Sequence, residues 1–252
     1  MAGHNKWSKV KHIKARVDVI KGRVFSKCAH EIALAARGGG GDIGMNARLR
    51  VAVDNAKSVS MPKENIERAI KKGLGELGGD AIQEVSYEGY GPSGIAFLIE
   101  AATDNLNRTA ADIREIFSKN HGSVATPGSV SYQFDRKGEI RISADHIDDE
   151  SIMDAAILAG ADEVEKDDEE NEHIIMTPPT ELAAVATGMR SAGFTISSER
   201  LVSIPQNLCV VDDPEIAEQV LKLYDRLDGY DDTLNVFTNF EVAEEVFAAL
   251  DL

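Results

Sequence analysis

The spacing of apolar residues changes once along this chain, near residue 80, and this change constrains the fold more than any other feature. Before it, apolar side chains such as Val24, Cys28 and Ile32 recur every three or four residues, which is the spacing of an amphipathic helix. After it, apolar and polar residues alternate, as in residues 84–90, which is typical of a half-buried strand. The sequence therefore predicts a helical N-terminal region followed by α+β structure.

Glycine and proline delimit the predicted helices of the first region. A helix over 18–37 is followed by four consecutive glycines, which end it because glycine loses the most conformational freedom in a helix. A second helix is predicted over 46–57, and Pro62 begins a third because proline presets φ for the first helical turn. Closely spaced glycines between Gly73 and Gly79 then indicate a linker and a domain boundary.

The α+β part has two sets of elements, one enclosed by the other. A β-hairpin, a helix over 105–120 and a strand over 129–134 lack one helix and one strand, which reappear over 214–228 and 233–240. Between them lies a complete βαββαβ series, the ferredoxin-like pattern. The sequence thus predicts a multidomain α+β fold. An N-terminal helical bundle is followed by two ferredoxin-like α+β domains, one of which is inserted in the other. The predicted boundaries are 1–78 for the basic helical domain, 79–135 with 205–252 for the discontinuous domain, and 136–204 for the inserted domain.

Charge is distributed very unevenly between these regions. The whole chain has a net charge of −16, but residues 1–73 hold 16 basic and 6 acidic residues, a balance of +10. The remaining residues hold 11 basic and 37 acidic ones, a balance of −26. A polyanion responds to the local patch and not to the total charge, so this asymmetry favours nucleic-acid binding by the N-terminal region. The alternative is a basic segment that docks against its own acidic remainder.

The candidate contacts are cations in two groups. The first group surrounds Trp7, the only tryptophan of the chain; lysine and arginine neutralise phosphates, and an indole can stack on an unpaired base. An anchoring role for Trp7 in a hydrophobic core is the alternative. The second group lies on the predicted helices, mainly on the face opposite the apolar one. The predicted nucleic-acid contacts are Lys6, Trp7, Lys9, Lys11, His12, Lys14, Arg16, Arg23, Lys27, Arg37, Arg48 and Arg50.

Catalytic, metal and membrane functions have little support in the sequence. His4 and His12 are too far apart for the usual zinc-ligand spacing, and Cys28 belongs to an apolar helix face. The chain has two cysteines, no apolar run of about 18 residues and no secretory h-region. We therefore expect a cytoplasmic, non-enzymatic protein without a cofactor, a bound metal or a membrane partner.

Several motifs resemble those of the YebC/PmpR family. They are the opening Met1–Trp7, the segment Lys21–Lys27, Tyr87–Pro92, Thr103–Thr109 and Gly128–Phe134, and the resemblance extends over essentially the whole chain. His121 is a departure, since glycine is usual there. The resemblance implies three domains and a bacterial cytoplasmic protein, with mitochondrial relatives. It also implies a family described as probable DNA-binding transcriptional regulators, some members of which act as translation factors on the ribosome.

The sequence and the resemblance together predict a regulator of gene expression that binds nucleic acid, DNA or ribosomal RNA, through its basic helical domain. The acidic domains are expected to contact protein, the ribosome included. One alternative is a ribosome-associated translation factor that contacts rRNA or tRNA, and a further one is a protein-only adaptor. No helix of the first region combines side chains suited to bidentate base contacts, so we expect weak sequence specificity on DNA and association with ribosomes.

Overall fold

The computed structural model describes residues 17–145, 147–243 and 246. This part of the chain forms two compact units: Asp135–Ile204 is one, and the segments before Asp135 and from Pro205 onward together form the other. Seven α-helices and antiparallel sheets are present among the described residues, so the predicted α+β fold class is confirmed. No helix in these ranges is long and apolar enough to cross a membrane.

The first unit begins with three helices, α1 (Val17–Gly39), α2 (Ala47–Ser58) and α3 (Lys63–Gly73). Their apolar faces enclose a small core that includes Ile32, Leu49 and Ile66. Asn46 joins two of the helices. Its side-chain oxygen caps α2 by accepting the Leu49 N–H at 3.0 Å, and its amide donates to the Ala35 carbonyl of α1 at 2.8 Å.

Helices α1 and α3 approach each other closely at Gly73. A Cβ atom added there would lie 2.2 Å from the carbonyl oxygen of Ala33, well inside van der Waals contact. Only a residue without a side chain allows this approach, so Gly73 has a packing role and does not simply mark a linker.

The sheet of the first unit has four strands in the order β3-β1-β2-β9. Strands β1 and β2 form an antiparallel hairpin, and β9 pairs antiparallel with β2. Two helices, α4 and α7, and two short strands described below complete the core, in which the rings of Phe97 and Phe117 meet edge to face at 5.9 Å. The bounds are β1 Gln83–Tyr90, β2 Ala96–Thr103, α4 Leu106–Lys119, β3 Ser123–Val124, α7 Pro214–Asp228 and β9 Thr233–Thr238.

Two short strands complete this unit. Cys209–Val211 (β8) and Phe240–Val242 (β10) pair in parallel as a separate two-stranded sheet. His121, which follows α4, has a φ of 60°, in the left-handed region that glycine adopts without penalty.

The strand predicted over 129–134 does not form. A 3₁₀ turn occupies Ser131–Gln133 instead, and the next strand begins at Phe134. The cause is the carboxylate of Glu88, a residue that is only 7% exposed. It accepts hydrogen bonds of 2.8, 2.5 and 3.0 Å from the backbone N–H groups of Gly128, Val130 and Ser131. Amides held in this way cannot join a strand ladder.

The second unit follows the βαββαβ order predicted for it. Its sheet order is β5-β6-β4-β7, with β6 antiparallel to both β4 and β5. One face of the sheet and the two helices bury an aliphatic core that includes Ile140, Ile175 and Val185. The bounds are β4 Phe134–Ser143, α5 Asp149–Ala159, β5 Glu163–Asp167, β6 Glu172–Thr177, α6 Leu182–Ser191 and β7 Ile196–Pro205.

Candidate nucleic-acid interface

The twelve predicted contacts divide into two sets. Lys6, Trp7, Lys9, Lys11, His12, Lys14 and Arg16 lie outside the described residues. The other five lie on the first two helices: Arg23, Lys27 and Arg37 on α1, and Arg48 and Arg50 on α2.

The basic face of α1 is directed at the α+β part of its own unit. Lys27 Nζ lies 2.7 Å from Asp228 Oδ1 of α7, and the two side chains are only 22% and 24% exposed. The Arg37 guanidinium donates to the carbonyl oxygen of Ile82, just before β1. Arg23 lies beside Gly229, where an added Cβ would come within 2.9 Å of its Cζ. Lys27 therefore docks against an acidic residue of its own unit, while Arg23 and Arg37 remain exposed.

The basic residues of α2 are more accessible. Arg48 pairs with Glu84 at 3.0 Å, but its side chain is 61% exposed, and an exposed pair of this kind contributes at most about 1 kcal/mol. Arg50 is exposed and forms no ion pair with any other described residue. Arg23 and Arg37 are exposed too, but each lies against the rest of the unit, so Arg48 and Arg50 are the described candidates best placed to meet a phosphate.

The sequence gives little signal for a polar cluster around Asp232, which follows α7. Asp232 is 6% exposed and accepts hydrogen bonds from Arg108 Nη2 at 2.8 Å and from Thr109 Oγ1 at 2.6 Å. The nearby Tyr230 hydroxyl donates to Asp112 at 2.7 Å. Burial alone would raise the pKa of Asp232, but the hydrogen bonds from Arg108 and Thr109 hold this pKa below its usual value. Of these residues, only Arg108 and Thr109 belong to one of the family motifs, Thr103–Thr109. Their partner Asp232 lies more than 120 residues further along the sequence.

The Asp232 cluster continues into the helical part of the unit. Arg108 also contacts Asp104 at 3.3 Å, and Asp104 accepts a hydrogen bond from Lys72 of α3 at 3.2 Å. His30 of α1 faces the same charges, and burial lowers its pKa. The chain of alternating charges from Lys72 through Asp104 and Arg108 to Asp232 therefore connects the helices to the sheet.

The chemistry of this cluster favours a positioning role. A carboxylate with a lowered pKa, held by two donors, is a poor general base at neutral pH. Within the described ranges, no group of three or more His, Cys, Asp and Glu side chains is placed to hold a metal ion. The cluster is best understood as the support on which the basic helices are held.

Comparison with known proteins places the chain in a family. Residues 5–76 match the model described as the TACO1/YebC protein N-terminal domain, and residues 82–240 match the TACO1/YebC second and third domain. The chain belongs to the TACO1/YebC family. The resemblance indicated by the sequence motifs is thereby confirmed.

Relatives match this TACO1/YebC chain over nearly its whole length. A probable transcriptional regulatory protein from Akkermansia muciniphila is 59% identical over 250 residues, which cover 99% of this chain and 100% of that protein. One from Geobacter sulfurreducens is 47% identical and covers 97% of this chain and 98% of its own. The crystal structure of a conserved hypothetical protein from Aquifex aeolicus is similar with a TM-score of 0.83 at 43% identity, covering 92% of this chain and 94% of that one.

Two of the TACO1/YebC motifs have a clear structural explanation in this chain. In Tyr87–Pro92, a Cβ on Gly89 would lie 2.6 Å from the ring of Phe117, and one on Gly91 would lie 2.6 Å from the ring of Phe97. In Thr103–Thr109, Arg108 and Thr109 hold Asp232. Both motifs therefore maintain the sheet and its helices.

Proposed function

We propose that this TACO1/YebC protein is a non-enzymatic regulator of gene expression that binds nucleic acid through its basic N-terminal region, residues 1–78. The observation that carries the proposal is the charge asymmetry, +10 over residues 1–73 against −26 over the remainder. Regulation is supported by the relatives, which are named probable transcriptional regulatory proteins.

Binding would begin with phosphates. Arg48 and Arg50 lie exposed on α2, and the lysines around Trp7 are the further phosphate contacts predicted from the sequence. Each phosphate neutralised by lysine or arginine releases counterions, which gives affinity without requiring a particular base sequence. The acidic domains would repel the same polyanion and so restrict contact to the helical region.

A ribosome-associated translation factor is the second candidate, and the orientation of α1 favours it. The basic face of this long helix lies against the rest of its own unit, where Lys27 pairs with Asp228 and Arg37 donates to the Ile82 carbonyl, so the helix is not presented for insertion into a DNA major groove. Recognition through exposed cations suits the shape and backbone of folded RNA. The same contacts also support the protein-only adaptor, in which the basic segment binds an acidic partner or the chain's own acidic domains.

In vivo crosslinking tests the proposal when bound RNA and bound DNA are both sequenced. Wild type is compared with the double variant Arg48→Glu/Arg50→Glu, and Arg114→Glu/Arg226→Glu is the matched control, because it makes the same charge change on exposed cations outside the helical region. We expect crosslinks with wild type and the control, enriched in ribosomal RNA, and a severalfold loss in the α2 variant.

Three outcomes discriminate among the candidate functions. Crosslinks confined to a shared promoter motif, with ribosomal RNA at background, would favour the transcriptional mode. Background crosslinking of wild type to both nucleic acids would contradict the proposal and leave the adaptor. Equal losses in the α2 variant and its control would contradict the placement of the interface on the helices.

A further inference from the structure

An open groove of about 450 Å³ lies in the first unit where the end of α1, the segment before β1 and the start of α4 meet. Its volume falls within the roughly 300–1,000 Å³ typical of small-molecule sites. Its lining is mostly polar, and the lining residues used below are Arg37, Gln83, Asp104, Asn105, Leu106 and Asn107.

Three carboxamides give the groove its chemical character. Gln83 and Asn107 are exposed, and neither side chain has a hydrogen-bond partner among the described residues. The Asn105 oxygen is fixed by the Arg108 N–H at 3.0 Å, while its NH₂ group has no partner in the same ranges. A carboxamide presents a donor beside an acceptor, the pattern that pairs with the N6 and N7 edge of adenine.

Two of the three charged residues that line the groove, Arg37 and Asp104, are held in place, and the third, Asp80, is exposed. Arg37 is anchored because its Nη1 donates to the Ile82 carbonyl. Asp104 carries ion pairs to Lys72 at 3.2 Å and to Arg108 at 3.3 Å, so its negative charge is balanced within the protein. A neighbouring nucleic-acid chain would therefore meet little repulsion from this carboxylate.

The groove also offers an apolar surface. Leu106 is 41% exposed at the start of α4, beside Asn105 and Asn107. A flat base can lie against such a side chain while its edge reaches the carboxamides. A base inside a duplex is stacked on its neighbours and cannot enter, so the groove suits single strands, loops and bulges.

We propose that this groove binds one unpaired purine base of the nucleic acid held by the basic helices. The inference rests on the proposed function and specifies it further: cations of the helical region hold the backbone, and the groove selects a purine at one position. Each bidentate contact to a base contributes about 1–3 kcal/mol of discrimination, which corresponds to at least about a fivefold preference in affinity.

Fluorescence anisotropy with the full chain and short RNA probes tests the purine site. The probes are a nine-nucleotide oligouridylate and two copies with one central adenine or guanine. We expect wild type to bind at least one purine probe about fivefold or more tightly than the oligouridylate. Gln83→Ala/Asn107→Ala should lose this preference and keep the affinity for oligouridylate, while Asn207→Ala, an exposed carboxamide outside the groove, should behave as wild type.

The outcomes separate this inference from the proposed function. Equal affinity of wild type for all three probes would overturn the purine site and leave nucleic-acid binding intact. A purine preference that survives in the double variant would also overturn it, because the base would then be read elsewhere. Absence of binding to every probe at low salt would overturn the purine site, and the proposed function would fall with it only if wild type also failed to crosslink to both RNA and DNA. Circular dichroism of the double variant checks that its fold is unchanged.

Discussion

Lys27 donates a hydrogen bond to Asp228 across 201 positions of sequence, with 2.7 Å between Nζ and Oδ1. The pair joins α1 to the end of α7, and both side chains are mostly buried. A cation that the sequence pattern indicates as a phosphate contact is thus engaged within the protein. The basic residues of the N-terminal region therefore fall into two groups. Lys27 attaches α1 to α7, and Arg48 and Arg50 form an accessible basic surface on α2.

A double-mutant cycle on Lys27 and Asp228 measures how much this pair contributes to the free energy of unfolding. We expect Lys27→Met to lower the free energy of unfolding by about 1 kcal/mol, and Asp228→Asn to lower it more, because Asp228 has a further partner. Urea denaturation of the two single variants and the double variant should give a coupling energy near 1 kcal/mol. Strictly additive effects would show that the contact contributes nothing. Lys27→Met should also leave nucleic-acid affinity nearly unchanged.

Gly73→Ala tests the close approach of α1 and α3. The new Cβ would meet the Ala33 carbonyl oxygen at 2.2 Å, so the helices must separate, and we expect a loss of about 2 kcal/mol or more in unfolding free energy. Gly38→Ala in α1 is the control, because nothing lies within 4 Å of the added atom. The control should be neutral or stabilising by up to about 1 kcal/mol. Similar thermal unfolding of the two variants would contradict the packing role of Gly73.

Asp232→Ala tests the charge cluster that supports the helices. Removal of the carboxylate deletes a charge-assisted hydrogen bond of Arg108 and one of the buried Thr109 hydroxyl. These two groups keep only Asp104 at 3.3 Å and the Asn105 carbonyl at 3.1 Å as charged or backbone acceptors, and we expect a loss of about 2–3 kcal/mol in unfolding free energy. Asp231→Ala changes an exposed neighbour and should stay within about 0.5 kcal/mol. Hydrogen exchange should show faster opening of α1 and α4 only in the first variant. Equal effects of the two substitutions would contradict the proposed role of the cluster in supporting the helices.

Much of the fold is predictable from local sequence patterns, and the exceptions share a cause. The helix ending at Gly39, the hairpin after residue 82 and the βαββαβ order of the second unit all follow from spacing and punctuation by glycine and proline. The strand predicted over 129–134 does not form because backbone N–H groups of this segment donate hydrogen bonds to the carboxylate of Glu88, some 40 residues away in sequence. Alternation of residue types shows which backbone could form a ladder, but not which distant side chain competes for its N–H groups.

The candidate site is likewise predictable where a residue depends on local structure, and not where its partner is distant in sequence. Net charge and helical spacing identify Arg48 and Arg50, whose exposure depends mainly on their own helix. Local patterns could not show that Lys27 meets Asp228 or that Arg108 meets Asp232, because each partner lies more than 120 residues away in sequence. The predictions for residues 6–16 remain predictions, since those residues lie outside the described ranges.

The second unit should lose stability in acid through Glu139. Burial alone would raise its pKa, but Arg200 at 2.7 Å and Arg141 at 3.0 Å lower that pKa from 4.5 to about 2. Because the folded state holds the ionised form, the stabilisation is present above about pH 4.5 and disappears as the pH falls towards 2. The shift corresponds to about 3 kcal/mol at neutral pH.

Glu139→Gln should therefore destabilise the second unit at pH 7 and have progressively less effect below pH 4.5. Hydrogen exchange of the β4 and β6 amides measures this unit separately from the rest of the chain. Glu163→Gln, an exposed carboxylate on β5, is the control and should have no such pH-dependent effect. A variant effect that is equally large at pH 7 and near pH 2 would contradict an electrostatic origin.

The dependence of nucleic-acid affinity on salt tests the central claim most directly. If three to five cations contact phosphates, the logarithm of the association constant should fall with the logarithm of salt concentration with a slope between about −2 and −4.5. Arg48→Glu/Arg50→Glu should make this slope shallower by about 1.4–1.8, the share of two phosphate contacts, while Arg114→Glu/Arg226→Glu should leave it unchanged. Absence of affinity for RNA and DNA even at low salt, or a slope that the α2 variant does not alter, would contradict binding through the basic helices.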